Sequence, residues 1–220
     1  MPVADYTTTF AVRDYLHLTS RDSDATLARL ITRASAMIDT YCGRWFSPVI
    51  ETRTYAPRGN HITGRLLLLD ADLLSVSAIT VAGGETLNPT RYILRPVSWP
   101  PFFGISLRQN SQLHWATLAG PDGRIAVSGT WGYALVVPDP IAAAAVRLTA
   151  WLYRQFDTAV EDPAAEQAAR LPREAAWDGQ SPVRHSPERS MADDAKLPGE
   201  IRQMLGPYVR LRISAYSGAA

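Results

Sequence analysis

Apolar residues recur every three or four positions between residues 23 and 43, which is typical of an amphipathic α-helix. Asp22, Ser23 or Asp24 can cap the first turn, and Gly43 suits the left-handed conformation in which many helices end. The pattern therefore predicts a helix over 23–43, with a shorter helix over 10–18 before it. The apolar stripe of the longer helix consists of Leu27, Leu30, Ile31, Ala34, Ile38, Tyr41 and Cys42.

A second long helix is predicted over 140–157. Asp139 can cap its start, and Pro140 stands at the first helical position, where a missing N–H group has no cost. Its apolar stripe consists of Ile141, Ala144, Ala145, Leu148, Leu152 and Phe156. The two long helices are thus separated by about a hundred residues of different pattern.

Another flank of this predicted helix carries Arg147, Trp151 and Arg154. One interpretation is a solvated edge with a half-buried indole. The other is a contact face for a partner subunit or for nucleic acid. Both interpretations stay open at the level of sequence.

The chain between the helices, over 50–131, has the pattern of short strands. Its apolar or alternating segments are 51–57, 65–70, 76–81, 91–96, 104–109 and 124–131, separated by Gly, Pro, Asn and Asp. Gly83 and Gly84 suit a tight hairpin turn. The spacing predicts an antiparallel sheet or small sandwich, and no Gly-rich phosphate loop accompanies it. The fold class is therefore α+β, a helical platform with an inserted sheet.

One loop, SWPPFFG at 98–104, concentrates Trp99, Phe102 and Phe103 around two prolines. Such a cluster suits an exposed platform for a sugar, a base or another subunit. It equally suits a hydrophobic plug over the open end of the sheet, partly buried at a subunit interface. The first interpretation makes a carbohydrate-binding or ligand-binding β module the alternative function.

The C-terminal part divides in two. Residues 158–196 are rich in Ala, Pro and charged residues without apolar periodicity, which predicts a flexible linker. Residues 197–220 contain a short predicted helix followed by alternating apolar and basic positions, and so have the form of an arm that docks on a partner. A terminal strand that folds back on its own sheet is the other interpretation. The docking candidates are Leu205, Tyr208, Arg210, Leu211, Arg212 and Tyr216.

The net charge and the reactive side chains of the chain argue against several classes of function. The net charge is only +1, which argues against a protein whose main task is to coat DNA. The four histidines are scattered, the single cysteine falls in a helix stripe, and Asp70 and Asp72 suit a turn or cap at a strand end. We therefore expect no enzyme, no catalytic or metal-binding residues and no cofactor. No apolar run is long enough to predict a membrane span.

The order of these features resembles the head-to-tail connector proteins, also called adaptor or head-completion proteins, of long-tailed double-stranded DNA phages and of related prophage and gene-transfer particles. The resemblance covers about residues 10–157. It rests on AVRDYLHL, on TYCGRWF at the end of the first long helix, on LLSVSAITVAGGETLNPTRYILRP, and on TWGYALVVPDPIAAAAVRLTAWLYRQFD.

The resemblance implies a structural adaptor. Members of this family form a ring, commonly of twelve subunits, beneath the portal at the capsid vertex, where the ring extends the DNA channel and joins the stopper or tail proteins. The implied partners are the portal protein, a stopper or tail-completion protein, further copies of the chain, and DNA that passes without sequence-specific binding. The implied location is the capsid–tail junction of a virion assembled in the cytoplasm of a bacterial host, with no membrane contact.

Residues 1–157 are expected to form the adaptor core, 158–196 the linker and 197–220 the arm, and the resemblance implies that the arm reaches the portal. It does not determine which helix flank faces the channel. The weak candidates for a subunit interface or the DNA channel are therefore Arg147, Trp151, Arg154, Trp99, Phe102 and Phe103.

Overall fold

The computed structural model describes residues 4–56, 62–109, 113–120, 123–161 and 197–210. Its helices are α1 (Thr9–Leu16), α2 (Asp24–Cys42), α3 (Trp115–Leu118), α4 (Asp139–Glu161) and α5 (Gly199–Leu205). Its strands are β1 (Val49–Tyr55), β2 (Ile62–Thr63), β3 (Leu66–Thr80), β4 (Tyr92–Arg95), β5 (Phe102–Leu107) and β6 (Ile125–Trp131). The predicted α+β fold class is confirmed.

The chain divides into two compact units. Met1–Ile38 and Ala142–Gly206 form the first, here called the helical unit, while Asp39–Ile141 and Pro207–Ala220 form the second, the sheet unit. The division into an adaptor core, a linker and an arm stays a prediction, and residues 162–196 lie outside the described part of the chain.

In the helical unit, both ends of α1 have the features that are typical of helix caps. The Thr8 hydroxyl accepts a hydrogen bond from the Ala11 amide at 3.2 Å, and α1 ends at His17, whose φ of 56° lies in the left-handed region. This is why α1 ends two residues before the predicted boundary. Its core is formed by Val12, Leu27 and Ile31, with Leu16, Leu18 and Tyr153 packed around them.

The sheet unit contains one antiparallel sheet in the strand order β1-β6-β3-β5-β4, with β2 paired to β3. The predicted strands 65–70 and 76–81 are two parts of β3, which is 15 residues long. The register of β3 shifts between Leu68 and Leu73, between Leu73 and Ser75, and between Val76 and Ala78. The first part of β3 therefore pairs with β5 and its second part with β6.

The core of the sheet unit lies on the face of β6 that carries Ile125, Val127 and Trp131. α3, which the sequence pattern did not predict, places Trp115 in this core with no exposed surface. The indole of Trp115 donates to the Arg65 carbonyl at 2.8 Å, and that of Trp131 donates to the Glu51 carbonyl at 3.1 Å. Both buried indoles are therefore satisfied.

Within the described ranges, no helix combines the length and the apolar character needed to cross a bilayer.

Candidate functional site

Two aspartates of β3 organise the most heavily charged part of the sheet unit. Tyr55 donates its hydroxyl to Asp70 at 2.6 Å, and Arg53 on the same strand pairs with Asp70 at 3.1 Å. Arg44, just after α2, pairs with Asp72 at 3.1 Å. Asp72 is 5% exposed, so this second pair lies almost entirely out of water. The sequence-based interpretation as turn or cap residues is wrong, since both aspartates lie inside β3 and pair with residues far away in sequence.

The two carboxyl groups respond in opposite directions to this environment. Burial disfavours the charged form of Asp70, but the Tyr55 hydroxyl and the Arg53 charge outweigh it and lower its pKa. At Asp72, burial outweighs the attraction of Arg44 and Arg210 and raises the pKa. The two arginines thus oppose the effect of burial on the pKa of Asp72.

Aromatic rings hold the arginines in place. The Arg53 guanidinium lies 4.7 Å from the ring centroid of Trp45 and 4.6 Å from that of Trp131. Arg44 lies 5.0 Å from the Tyr133 centroid. These distances fall within the range of cation–π attraction, which strengthens as the groups leave water. The buried Arg44 Nε and Arg53 Nη2 atoms have no hydrogen-bond partner among the described residues.

Residues 207–210 of the predicted arm are bound to this same cluster. The Tyr208 ring packs edge-on against Phe46 and Tyr133, with centroids 5.9 and 5.7 Å apart. The Arg210 amide donates to the Cys42 carbonyl at 2.8 Å. Its guanidinium donates to the carbonyls of Leu69, at 2.8 Å, and Asp70. We call Pro207–Arg210 the anchor segment, because both side-chain and main-chain groups hold it.

Next to these charged groups lies an open cleft of about 330 Å³. It is lined by Asp39, Thr40, Gly43, Arg44, Trp45, Asp70, Ala71, Asp72 and Gly132. Within the described part of the chain, no group of three or more His, Cys, Asp or Glu side chains could hold a metal ion. The chemistry of the cleft is that of paired charges and aromatic surface, which suits a contact with protein.

Cys42 supports this site through its main chain alone. Its thiol is buried, and burial together with the nearby Asp39 raises its pKa to about 11. A thiol in this state is a packing group.

The docking candidates fall into three groups. Leu205 is fully buried in the helical unit. Tyr208 and Arg210 belong to the anchor segment. Leu211, Arg212 and Tyr216 lie outside the described residues. The structure therefore brings Tyr208 and Arg210 together on the sheet unit. The alternating apolar and basic positions that follow the short helix predict an extended segment, but it begins with a 3-10 turn at Gly206–Tyr208.

The weaker candidates do not form one site. Arg147 pairs with Glu200 on α5. The Arg147 side chain is 41% exposed and that of Glu200 67%, and an ion pair so accessible to water contributes little. Trp151 is half-buried and Arg154 is exposed on α4. Their role at an interface or a channel stays a prediction.

The three aromatic residues of segment 98–104 do not share one loop, because two of them belong to a strand. Phe102 and Phe103 belong to β5 and are half-buried, and Phe102 packs against the core. Trp99 is 78% exposed. The placement of all three rings in one loop is therefore wrong, because β5 begins at Phe102. The exposure of Trp99 disfavours a plug of all three rings within one copy, and the half-buried Phe102 and Phe103 disfavour a three-ring platform. Burial of Trp99 at a subunit interface stays a prediction.

Sequence reasoning missed Arg44, Arg53, Phe46 and Tyr133. The motif GRWF at 43–46 was noticed only as the end of a helix. Its arginine and aromatic residues were a usable signal, since such residues are common in interfaces and cation–π pairs. Their partners on β1 and β3 depend on strand register, which no local pattern encodes.

No protein-family model and no curated protein matches the sequence. Three similar solved chains come from particles of a gene transfer agent (GTA). A chain from "Neck of empty GTA particle computed with C6 symmetry" has a TM-score of 0.54 and 18% identity, and the match covers 93% of this chain and 90% of that chain.

A chain from "Neck of native GTA particle computed with C12 symmetry" has a TM-score of 0.51 and 15% identity, covering 93% of this chain and 89% of that one. A chain from "Virion of native gene transfer agent (GTA) particle" has a TM-score of 0.53 and 15% identity, covering 93% and 90%. At such identities the likeness shows a shared fold.

Proposed function

We propose that this protein is a structural neck component of a phage-like particle, an adaptor that forms a ring beneath the portal and joins the capsid to the stopper or tail. The observation that carries the proposal is a fold shared with GTA neck chains over about nine-tenths of both chains. The neighbouring assemblies were computed with C6 and C12 symmetry, which supports a ring of many copies.

The anchor segment gives the proposed portal contact a physical basis. Tyr208 and Arg210 hold the chain on the sheet unit, so the residues that follow start from a defined point on the protein. A defined starting point reduces the entropy that is lost when the residues that follow bind a partner. We assign portal binding to residues 211–220, including Leu211, Arg212 and Tyr216, and anchoring to Tyr208 and Arg210.

The other proposed contacts follow from the same role. Copies of the chain contact one another in the ring, the stopper or tail-completion protein binds the ring, and DNA passes through the channel without sequence-specific contacts. The net charge of +1 agrees with a channel that lets DNA move through it. The protein then belongs to the capsid–tail junction of a virion that is assembled in the host cytoplasm.

The test is to mix the purified chain with portal protein and image the product by electron microscopy. We expect rings on the portal with the full chain. A chain that ends at Arg210 should keep its fold, because Leu197, Ile201 and Leu205 of the buried core are retained. The same chain should lose portal binding, because it lacks residues 211–220. A control chain with residues 211–220 replaced by a Gly/Ser sequence of equal length separates chain length from sequence.

Failure of the full chain to assemble with any portal from the same particle would refute the proposal. Binding by the chain that ends at Arg210 would refute only the assignment of the arm.

A further inference from the structure

Three arginines of the sheet unit lie on one face of its outer strand pair. β4 is an outer strand of the sheet, and it pairs with β5 in antiparallel register as far as Arg95 and Gly104. At the other end of β4, the Arg91 carbonyl accepts a hydrogen bond from the Arg108 amide at 3.0 Å, which continues the same register. Opposite residues of two paired strands, and alternate residues of one strand, point to the same face. Arg91, Arg95 and Arg108 therefore share one face, here called the arginine face.

The arginine face is the side of these strands that points away from the core. Tyr92 and Leu94 occupy the alternate positions of β4 and pack against the core of the sheet unit. Their partners on β5, Leu107 and Ile105, are buried in that core. On the arginine face, two of the three arginines are exposed, and Arg95 is half-buried. This face is thus accessible to a partner from solution.

The other positions of the arginine face are neutral. They are occupied by Ile93 on β4 and by Gly104 and Ser106 on β5. Leu66 and Leu68 stand opposite Ser106 and Gly104 on the neighbouring strand β3. At these described positions, no acidic side chain offsets the positive charge of the arginines.

The chain around the arginine face also lacks negative charge. Residues 86–121 contain no aspartate and no glutamate. Within the described ranges, neither Arg91 nor Arg95 forms an ion pair, whereas Arg44 and Arg53 are each paired with an aspartate of β3. The whole chain has a net charge of +1, so the arginine face is a local concentration of positive charge. Such a concentration is typical of a surface that binds a polyanion.

Double-stranded DNA is the polyanion that fits the spacing of these charges. Arg91 and Arg95 stand at the two ends of β4, about 13 Å apart along an extended strand, so they reach separate phosphate groups of a duplex. Side chains that contact phosphate oxygens hold a protein on DNA without reading its sequence. We propose that the arginine face contacts the phosphate backbone of double-stranded DNA. This inference rests on the ring proposed above, and it identifies the surface of each copy that faces the DNA.

Three phosphate contacts in one copy give binding that is weak and strongly dependent on salt. Each contact releases about 0.9 counterion from duplex DNA, so three contacts predict a slope of about −2.7 for the logarithm of the binding constant against the logarithm of the salt concentration. Contacts of this kind also let a protein and DNA slide past each other. They agree with DNA that passes through a ring.

Fluorescence anisotropy of the full chain tests the proposal, with a labelled duplex of about 30 base pairs in about 20 to 100 mM salt. The wild type should bind with a slope close to the value above, and duplexes of unrelated sequence should bind equally. Arg91→Gln, Arg95→Gln and Arg108→Gln should each reduce the slope by about 1 and weaken binding about tenfold at about 50 mM salt. Arg91→Lys should keep the slope, because lysine also binds phosphate as a point charge. Tryptophan fluorescence checks that each variant is folded.

A charge-matched control separates the local charge from the overall charge. Arg21, Arg29 and Arg33 are exposed residues of the helical unit. Replacement of these three by glutamine changes the net charge as much as replacement of the three arginines on the arginine face. The control triple variant should keep a slope within about 0.5 of the wild-type slope, whereas the triple variant of the arginine face should lose nearly all of it.

The outcomes distinguish this inference from the proposed function. Equal loss of DNA binding in the two triple variants overturns the inference, because net charge alone would then explain the binding. A wild-type chain that binds no DNA, or binding that neither triple variant changes, overturns it too and leaves the adaptor role intact. If the arginine-face variant binds DNA normally but no longer binds portal or stopper protein, the face belongs to an acidic protein partner and the inference is wrong. DNA binding that depends on the three arginines supports the inference even if the chain forms no ring on the portal.

Discussion

The guanidinium of Arg210 donates to the main-chain carbonyl of Leu69 at 2.8 Å, across 141 positions of sequence. With the Tyr208 ring packed against Phe46 and Tyr133, this contact returns the chain to the sheet unit after α5. Residues 207–210 of the predicted arm are therefore part of the folded sheet unit.

Arg210→Ala should lower the free energy of unfolding by about 2 kcal/mol, because it removes charge-assisted hydrogen bonds and one of the two cations that face Asp72. The measurement is chemical denaturation followed by tryptophan fluorescence. Arg202→Ala, an exposed position on α5, is the matched control and should change stability by less than about 0.5 kcal/mol. Equal losses of unfolding free energy in the two variants would contradict the anchoring role of Arg210.

The contribution of Arg53 to stability should depend on the shape of its side chain as well as on its charge. Its guanidinium lies against both Trp45 and Trp131 and pairs with Glu51 and Asp70. Arg53→Ala should cost about 2 to 4 kcal/mol of unfolding free energy, and Arg53→Lys about half as much, since lysine keeps the charge without the planar group. Calorimetry of both variants checks the order. If lysine fully restores stability, the stacking has no energetic role.

The Asp70 carboxyl should make stability depend on pH in a defined direction. Its pKa in the folded protein is lower than the ordinary value of 3.8. Ionised Asp70 therefore stabilises the fold above pH 3.8, and this stabilisation is lost as the pH falls through the lower, folded-state pKa. The difference in stability between the wild type and Asp70→Asn should be constant near neutral pH and shrink below pH 3.8. Urea denaturation at several pH values measures it. A difference that grows in acid would contradict the pairing with Arg53 and Tyr55.

Gly129 should be intolerant of any side chain. A Cβ atom at this position of β6 would collide with the Ser75 carbonyl, next to a register shift of β3. Gly129→Ala should therefore destabilise the protein by about 2 kcal/mol or more, because a main-chain segment must move. Gly199→Ala has open space around the new methyl group and should be close to neutral. Thermal unfolding of the two variants distinguishes these outcomes, and a neutral Gly129→Ala would show that β3 can move at this point.

Local chemistry explains which elements could be predicted. The helix bounds at Asp24–Cys42 and the start of α4 at Asp139 follow from apolar periodicity and from caps, which act within a few residues. Turn residues such as Gly83, with its φ of 73°, are also local. Such signals do not predict α3, whose four residues are too few for periodicity.

The sequence by itself determined the α+β class, the two long helices and the positions of most strands, because these depend on neighbours in the chain. Only the tertiary structure decided that Arg53 reaches Asp70, that β3 is continuous, and that Tyr208 and Arg210 return to the sheet unit. Strand register and long-range packing bring these residues together, and a shift of one position would turn each side chain to the other face of the sheet.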